Sequence, residues 1–253
     1  MQSALIIHIP HASLYIPPFA EEDYAKEKLH RELLVMTDHY CDELFSSKFP
    51  TLEFPYSRLY CDVERFKEDE KEEMSSVGMG FAYTRCSDGS ILRKCSSERK
   101  DYILASCYEP HHRRLNEMTE KALKENGSCL IIDGHSFYPE PLSYELHPEL
   151  DRPEICIGTD PFHTPEWLSN FCLTFFKGKG YDTAFNAPFI GTIVPIPYYG
   201  KEPKVRSVMI EINRKLYMDK SGKKTASFDK VRTDIREFLE TLSKEEKKHR
   251  AVD

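Results

Sequence analysis

The chain has 253 residues, of which 40% are hydrophobic and 30% are charged, and its formal net charge is −7. This composition provides a sizeable core for one large domain or two small ones. The acidic balance argues against a general nucleic-acid-binding protein, and the absence of an apolar run of about 18 residues argues against a membrane span.

In chain order, apolar strand patterns alternate with helical ones. The predicted elements are a strand over 5–9, a helix over 29–48, a strand over 51–54, helices over 98–107 and 110–125, a strand over 129–132, a strand over 154–160, a helix over 165–177, strands over 181–186 and 207–214, and a helix over 228–242. This alternation favours a single α/β domain over residues 1–253, with helices on both faces of a sheet. A charged tail over 244–253 is expected to fray.

Local signals refine the boundaries of these elements. Asp133-Gly134 is predicted to break the central strand, and Pro110 to separate two helices. The helix over 29–48 would place Asp38 on one of its faces. Residues 66–73 form a charged insert that we interpret as solvated and to which we assign no function.

The cysteines and the start of the chain suggest a cellular compartment. None of the eight cysteines belongs to a Cys-x-x-Cys pair, and several lie in apolar runs, where Cys behaves as a small hydrophobe. The first residues show neither a basic leader nor a small-residue cleavage site. We therefore expect reduced thiols and a cytoplasmic protein.

Polar residues stand near the ends of three predicted strands: His11, His135 and Glu211. Ligands of open α/β sheets bind beyond the carboxyl ends of strands. Two histidines and one carboxylate fit a catalytic zinc site, in which the metal lowers the pKa of bound water to about 7. Because no His-Glu-x-x-His motif is present, distant parts of the chain would have to assemble the site.

Each of these residues also has a structural interpretation. The histidines could be ordinary core or surface residues, and Glu211 could pair with Arg58 or Arg214. The planar guanidinium groups of Arg58, Arg65 and Arg214 suit carboxylates, so they indicate either an acidic substrate or ordinary ion pairs. A serine hydrolase is disfavoured, since no Gly-x-Ser-x-Gly elbow occurs.

Seven segments, in order over residues 6 to 219, resemble the N-formylglutamate amidohydrolase family. They are Pro10-His11-Ala12-Ser13 with Ile16-Pro17, Arg58 with Asp62-Val63-Glu64-Arg65, Tyr108 with Pro110, His112 and Leu115, Ile132-Asp133-Gly134-His135-Ser136, Ile157-Gly158-Thr159-Asp160, Asn186 with Pro188, Phe189 and Gly191, and Glu211-Ile212-Asn213-Arg214 with Leu216-Tyr217-Met218. The family is related to zinc-dependent exopeptidases. The resemblance therefore implies a three-layer α/β/α sandwich with a mixed, mostly parallel sheet.

The resemblance also implies roles for individual residues. His11 and His135 would bind one Zn²⁺ or another divalent metal, with Asp38 as the third ligand and Glu64 as its rival. Glu211 would be the general base. Arg65 would act in catalysis, and the substrate-binding residues would be Arg58, His112, Asn186 and Arg214.

The chain departs from the family pattern in several places. Glu64 stands where the family has an asparagine, Gly134 where it has a leucine, and Ser13 where it has a glycine, offset by Ala12. If the asparagine normally touches substrate, the negative charge of Glu64 would disfavour a dicarboxylate there. This difference bears more on formylglutamate itself than on amide hydrolysis.

The predicted function is hydrolysis of the amide bond of a small acidic N-acyl amino acid. The candidate substrate is N-formyl-L-glutamate, which would give formate and L-glutamate. One alternative is a peptidase or cell-wall amidase of the zinc exopeptidase type. Another is a non-catalytic small-anion-binding protein on the same fold. We expect neither a nucleic acid nor a membrane as partner, and the sequence leaves the oligomeric state open.

Overall fold

A computed structural model describes residues 4–145, 148 and 152–250, and within them six strands form one sheet. The strands are β1 Leu5–Ile9, β2 Thr51–Glu53, β3 Cys129–Phe137, β4 Ile155–Gly158, β5 Thr183–Phe185 and β6 Val205–Asn213. Their order is β2-β1-β3-β6-β4-β5. The first four are parallel, β4 runs antiparallel to β6, and β5 runs parallel to β4. The predicted mixed, mostly parallel sheet is confirmed.

Helices cover both faces of the sheet. They are α1 Lys26–Met36, α2 Cys41–Leu44, α3 Ser97–Ile103, α4 Glu109–Asn126, α5 Glu166–Gly178 and α6 Phe228–Arg250, with a π-helical segment Leu104–Tyr108 between α3 and α4. Side chains alternate between the two faces of each strand. In β3, Leu130 packs in the cluster that includes residues of α2, α5 and α6, whereas Ile131 packs with Leu115 of α4. The α/β class is thereby confirmed.

The predicted helix over 29–48 is wrong, because the chain leaves the helical path between α1 and α2. Thr37 has an extended backbone, and Tyr40 adopts a left-handed conformation with φ 65°. Asp38 therefore lies in the connection between two helices and not on a helix face. Its backbone N–H donates to the carbonyl of His11 at 3.0 Å.

The predicted break at Asp133-Gly134 is also wrong, since β3 continues to Phe137. A Cβ atom at Gly134 would lie 2.8 Å from Ile9 Cδ1 and 3.0 Å from the ring of Phe45. The glycine is thus required by close packing in the middle of a strand. It does not mark a turn.

The predicted boundary at Pro110 is absent, because the chain stays helical from α3 through the π-helical segment into α4. Leu104, Tyr108 and Glu109 all have right-handed helical backbone angles. A π-helical turn changes the local hydrogen-bond pattern, and Pro110 occupies the first turn of α4, where a missing N–H is tolerated.

The end of the chain is more ordered than the charge pattern suggests. α6 continues to Arg250, so the expected fraying does not apply to residues 244–250, and residues 251–253 lie outside the described part. Glu246 is buried and accepts a hydrogen bond from Ser128 Oγ at 2.8 Å. None of the described helices is both long enough and apolar enough to cross a membrane.

Candidate active site

Two histidines and an aspartate converge near the carboxyl ends of β1 and β3. The Nδ1 atoms of His11 and His135 are 3.3 Å apart. Asp38 Oδ2 lies 3.0 Å from His135 Nδ1 and 3.8 Å from His11 Nδ1. Donors bound tetrahedrally to zinc at about 2.0–2.2 Å would be roughly 3.3–3.6 Å apart. These three atoms therefore fit a shared zinc ion.

Arg214 fixes the position of Asp38. Its Nη2 donates to Asp38 Oδ1 at 3.0 Å, and its Nε donates to Ser136 Oγ at 3.1 Å. Because Oδ1 is engaged by the arginine, Oδ2 is the oxygen that faces the two imidazole rings. The backbone link from Asp38 to His11 holds the connection after α1 in the same place.

Each histidine also contacts a buried carboxylate through its second ring nitrogen. His11 Nε2 lies 2.8 Å from Asp62 Oδ1, and His135 Nε2 lies 3.1 Å from Asp133 Oδ1. Metal-binding histidines commonly donate their second N–H to a carboxylate, which leaves the other nitrogen for the metal. For His11 this pattern supports Nδ1 as the metal-binding atom, whereas His135 Nε2 makes no hydrogen bond among the described residues.

Asp62 is held in turn by neighbouring donors. Arg58 Nη2 and the hydroxyl of Tyr83 each donate to its Oδ2 at 2.9 Å. Burial opposes ionisation of Asp62, but the attraction of His11 and Arg58 outweighs it and keeps the pKa well below its usual range. Asp62 therefore stays ionised and can orient His11.

Glu64 offers a second way to complete the donor set. Its Oε2 lies 3.1 Å from His135 Nε2 and 3.7 Å from His11 Nδ1, and the three residues present donor atoms within 4.8 Å of one another. This arrangement would use the opposite nitrogen of His135, the one that contacts Asp133. Both carboxylates therefore are candidates for the third ligand, Asp38 beside the two Nδ1 atoms and Glu64 beside His135 Nε2.

Glu211 is placed directly opposite His135 by the register of β3 and β6. Its side chain is buried, and its Oε2 has no hydrogen-bond partner among the described residues. Burial raises the pKa of Glu211 to about 7, although the charge of His135 pulls it down. A carboxylate with this pKa exchanges protons readily at neutral pH.

The carboxylates at this site outnumber the guanidinium groups. The carboxylates are Asp38, Asp62, Glu64, Asp133 and Glu211, and the guanidinium groups are Arg58, Arg65 and Arg214. Burial lowers the pKa of His135, yet nearby Glu64 and Asp133 outweigh this effect and raise it well above its usual value. The site therefore favours additional positive charge, which a divalent cation would provide.

Comparison with known proteins identifies the family. The family model described as N-formylglutamate amidohydrolase matches residues 3–218. The chain belongs to the N-formylglutamate amidohydrolase family. A search of curated proteins found no match.

Solved structures support the fold of this amidohydrolase family member. The N-formylglutamate amidohydrolase from Ralstonia eutropha JMP134 is similar with a TM-score of 0.82 and 19% identity, covering 96% of this chain and 94% of that one. A gene product of Agrobacterium tumefaciens is similar with a TM-score of 0.64 and 19% identity, covering 95% and 92%. At 19% sequence identity, these similarities support the fold and nothing further.

The three predicted arginines differ in how far they are engaged. Arg214 is bound to Asp38 and Ser136, and Arg58 is bound to Asp62. Arg65 Nε lies 4.0 Å from Asp62 Oδ2 and has no hydrogen-bond partner in the described part of the chain. Arg58 Nε also lacks a partner there, so Arg58 and Arg65 of this amidohydrolase family member both retain a donor for an anion.

The predicted His112 and Asn186 have different surroundings. The ring of His112 packs on Tyr108 with centroids 4.3 Å apart, and its buried Nε2 lacks a partner among the described residues. The Asn186 amide exchanges hydrogen bonds of 2.9 Å with the backbone N–H and the hydroxyl of Thr159. A substrate-binding role for either residue stays a prediction.

Sequence analysis missed His8, His111 and the roles of Asp62 and Asp133. His8 contacts Asp133 Oδ1 through Nδ1 and His111 Nε2 through Nε2, both at 2.8 Å. The available signal was the period of two along β3, where Asp133 follows the buried Ile131 on the face covered by α4. Because Asp133-Gly134 was interpreted as a turn, the alternation of side chains was not followed as far as Asp133.

Proposed function

We propose that this family member is a zinc-dependent amidohydrolase that cleaves the amide bond of a small acidic N-acyl amino acid. N-formyl-L-glutamate is the first candidate, with formate and L-glutamate as products. The observation that supports the proposal most is the approach of His11 Nδ1, His135 Nδ1 and Asp38 Oδ2 to within 3.0–3.8 Å beside Glu211.

His11, His135 and Asp38 would hold the metal, since imidazole and carboxylate donors suit zinc, although another divalent metal is compatible with them. Zinc, when bound, would polarise the scissile carbonyl and lower the pKa of water. Asp62 would keep the ring of His11 oriented through its second nitrogen.

Glu211 would act as the general base. Its carboxylate takes a proton from the attacking water, whose oxygen adds to the carbonyl carbon. The same group then gives that proton to the leaving nitrogen as the carbon–nitrogen bond breaks. The products are a carboxylic acid and a free amine, so one water molecule accounts for all atoms.

Arg65 would bind the substrate carboxylate or the developing oxyanion, because its guanidinium retains donors near the site. Glu64, about 15% exposed, adds a negative charge that opposes a second substrate carboxylate. The net charge of −7 supports a small-molecule partner over a nucleic acid. All eight cysteines are free, which supports a cytoplasmic location.

The decisive experiment measures formate release from a panel of N-formyl amino acids, with and without a chelator. The panel contains glutamate, glutamine and lysine derivatives, together with an N-acyl peptide to test a larger acyl or peptide substrate. Wild-type protein is expected to release formate only when metal is present. His135→Ala should remove bound zinc and activity together, whereas the exposed-histidine control His30→Ala should retain both. Full activity in chelator, or in His135→Ala, would reject the proposal.

A further inference from the structure

A second set of metal donors lies beside the first. His8, Asp133 and Glu64 present donor atoms within 4.8 Å of one another. His8 Nδ1 is 2.8 Å from Asp133 Oδ1 and 3.6 Å from Glu64 Oε1. The mean of these two distances is close to the roughly 3.3 Å that separates two donor atoms bound to the same tetrahedral zinc ion. Imidazole nitrogen and carboxylate oxygen are both zinc donors.

The surrounding structure holds these donors in place. His8 and Asp133 are paired residues of β1 and β3, and both are buried. Asp133 Oδ2 accepts a hydrogen bond of 3.0 Å from the backbone N–H of Ile193, so its Oδ1 is turned towards His8. Two of the three donors therefore belong to the sheet, and Glu64 reaches them from a turn.

His8 also has the second contact that metal-binding histidines usually make. Its Nε2 lies 2.8 Å from Nε2 of His111 on α4. At this distance the two nitrogens share one hydrogen bond, in which one ring donates and the other accepts. His8 can thus donate its Nε2–H to His111 and keep Nδ1 available for a metal.

One further ring nitrogen, without a hydrogen-bond partner in the described part of the chain, faces these donors. His135 Nε2 is buried and has no hydrogen-bond partner within the described residues. It lies 3.1 Å from both Glu64 Oε2 and Asp133 Oδ1. The His135 ring therefore stands between two groups of donors, with Nδ1 towards His11 and Asp38, and Nε2 towards Asp133 and Glu64.

We propose that His8, Asp133 and Glu64 form a second divalent-cation site, so that the protein carries a two-metal centre. The proposal goes beyond the one-zinc hydrolase, because His8 and Asp133 do not bind the first metal and Glu64 is there only the rival of Asp38. It also has a consequence that rests on the proposed function: a cation next to Glu64 offsets the charge that opposes an acidic substrate. Glu64 then helps to bind that substrate indirectly.

The test is a count of metal ions on the full-length protein. Chelator-treated protein is titrated with Zn²⁺ by calorimetry, and bound zinc is measured by elemental analysis after dialysis. Wild type should bind two zinc ions per chain, and His8→Gln and Glu64→Gln should each bind one. His39→Gln, which alters a half-buried histidine outside both groups, should bind two.

The number of zinc ions bound by each variant supports or overturns the second site. One zinc in wild type, or two in a folded His8→Gln, overturns the second site. If His8→Gln fails to fold by circular dichroism, the partly exposed Glu64→Gln decides the question, and two ions in that variant overturn the proposal. His11→Gln tests the first site separately: retention of both ions there contradicts the one-zinc hydrolase and leaves the His8 result to stand on its own.

Discussion

At the residue scale, Glu211 differs from its neighbours along β6, where Ile210 and Ile212 belong to the apolar core. Glu211→Gln keeps the size and shape of the side chain but removes the base. We expect kcat to fall by about 10²–10⁴, because the attacking water then loses its proton acceptor. Steady-state assays on purified protein measure the change.

The control for this variant is Glu237→Gln, which alters an exposed glutamate that pairs with Lys179 on the surface. It should retain the wild-type rate. Bound zinc should be equal in both variants and in wild type, since Glu211 is not among the proposed ligands. A Glu211→Gln enzyme with an undiminished kcat would mean that the base is a different residue.

The pKa of Glu211 predicts that the activity depends on pH. Burial raises the pKa of Glu211 to about 7, so its carboxyl binds a proton as the pH falls through that value. A base must be unprotonated, and a nearby cation would lower its pKa. We therefore expect kcat/KM to decrease on the acid side with an apparent pKa at or below about 7. A profile that is flat from pH 5 to 8 would contradict this assignment.

Individual site residues were predictable where polarity interrupts an apolar run. His11, His135 and Glu211 each stand out in this way, and the structure brings their neighbourhoods together. Asp62 gave no such signal, because its role depends on a contact with His11 across 51 residues of sequence. His8 looked like an ordinary strand residue until its neighbour on β3 was known.

At the element scale, Gly134 allows β3 to pack closely against the neighbouring layer, because glycine has no Cβ atom. Gly134→Ala would press a methyl group against Ile9 and Phe45. We expect the free energy of unfolding to fall by about 1–3 kcal/mol, the usual cost of overpacking a core. Urea denaturation followed by circular dichroism measures it.

A matched control is Gly178→Ala at the end of α5, where an added Cβ meets nothing within 4 Å. This variant should leave stability unchanged or raise it slightly, because alanine favours a helix more than glycine does. Equal stability in the two variants would show that β3 has room for a side chain at Gly134.

Element boundaries were harder to predict than the elements themselves. The turn at Tyr40 depends on a left-handed backbone at a tyrosine, which no local propensity favours. The helical path through Pro110 depends on the π-helical segment that precedes it. In both places tertiary contacts outweigh the local sequence signal. The turn at Tyr40 also determines the position of Asp38.

At the scale of the whole molecule, bound metal should stabilise the folded state. Its ligands come from separate parts of the chain, so the unfolded chain cannot bind it equally well. At a free zinc concentration 100 times Kd the gain is about 2.7 kcal/mol. For a protein of this size that corresponds to a rise in Tm of roughly 5–11 °C.

Differential scanning fluorimetry with and without Zn²⁺ measures this shift, and excess chelator should reverse it. His135→Ala should show a much smaller rise, since it lacks one of the proposed ligands. An equal rise in wild type and in His135→Ala would place the stabilising zinc elsewhere on the protein.

The α/β class followed from the alternation of strand and helix patterns, but strand direction did not. Nothing local marks β4 as antiparallel to β6. This reversal places Gly158, at the carboxyl end of β4, opposite Met209 in the middle of β6. The order of motifs along a chain therefore indicated a family, whereas the meeting of side chains depended on topology.

The central position of β3, between β1 and β6, affects how the protein matures during translation. The ribosome delivers β1 and β3 long before β6, which begins at Val205. The histidines of β1 and β3 are thus added to the chain before Glu211. The proposed base is the last of these residues to be synthesised.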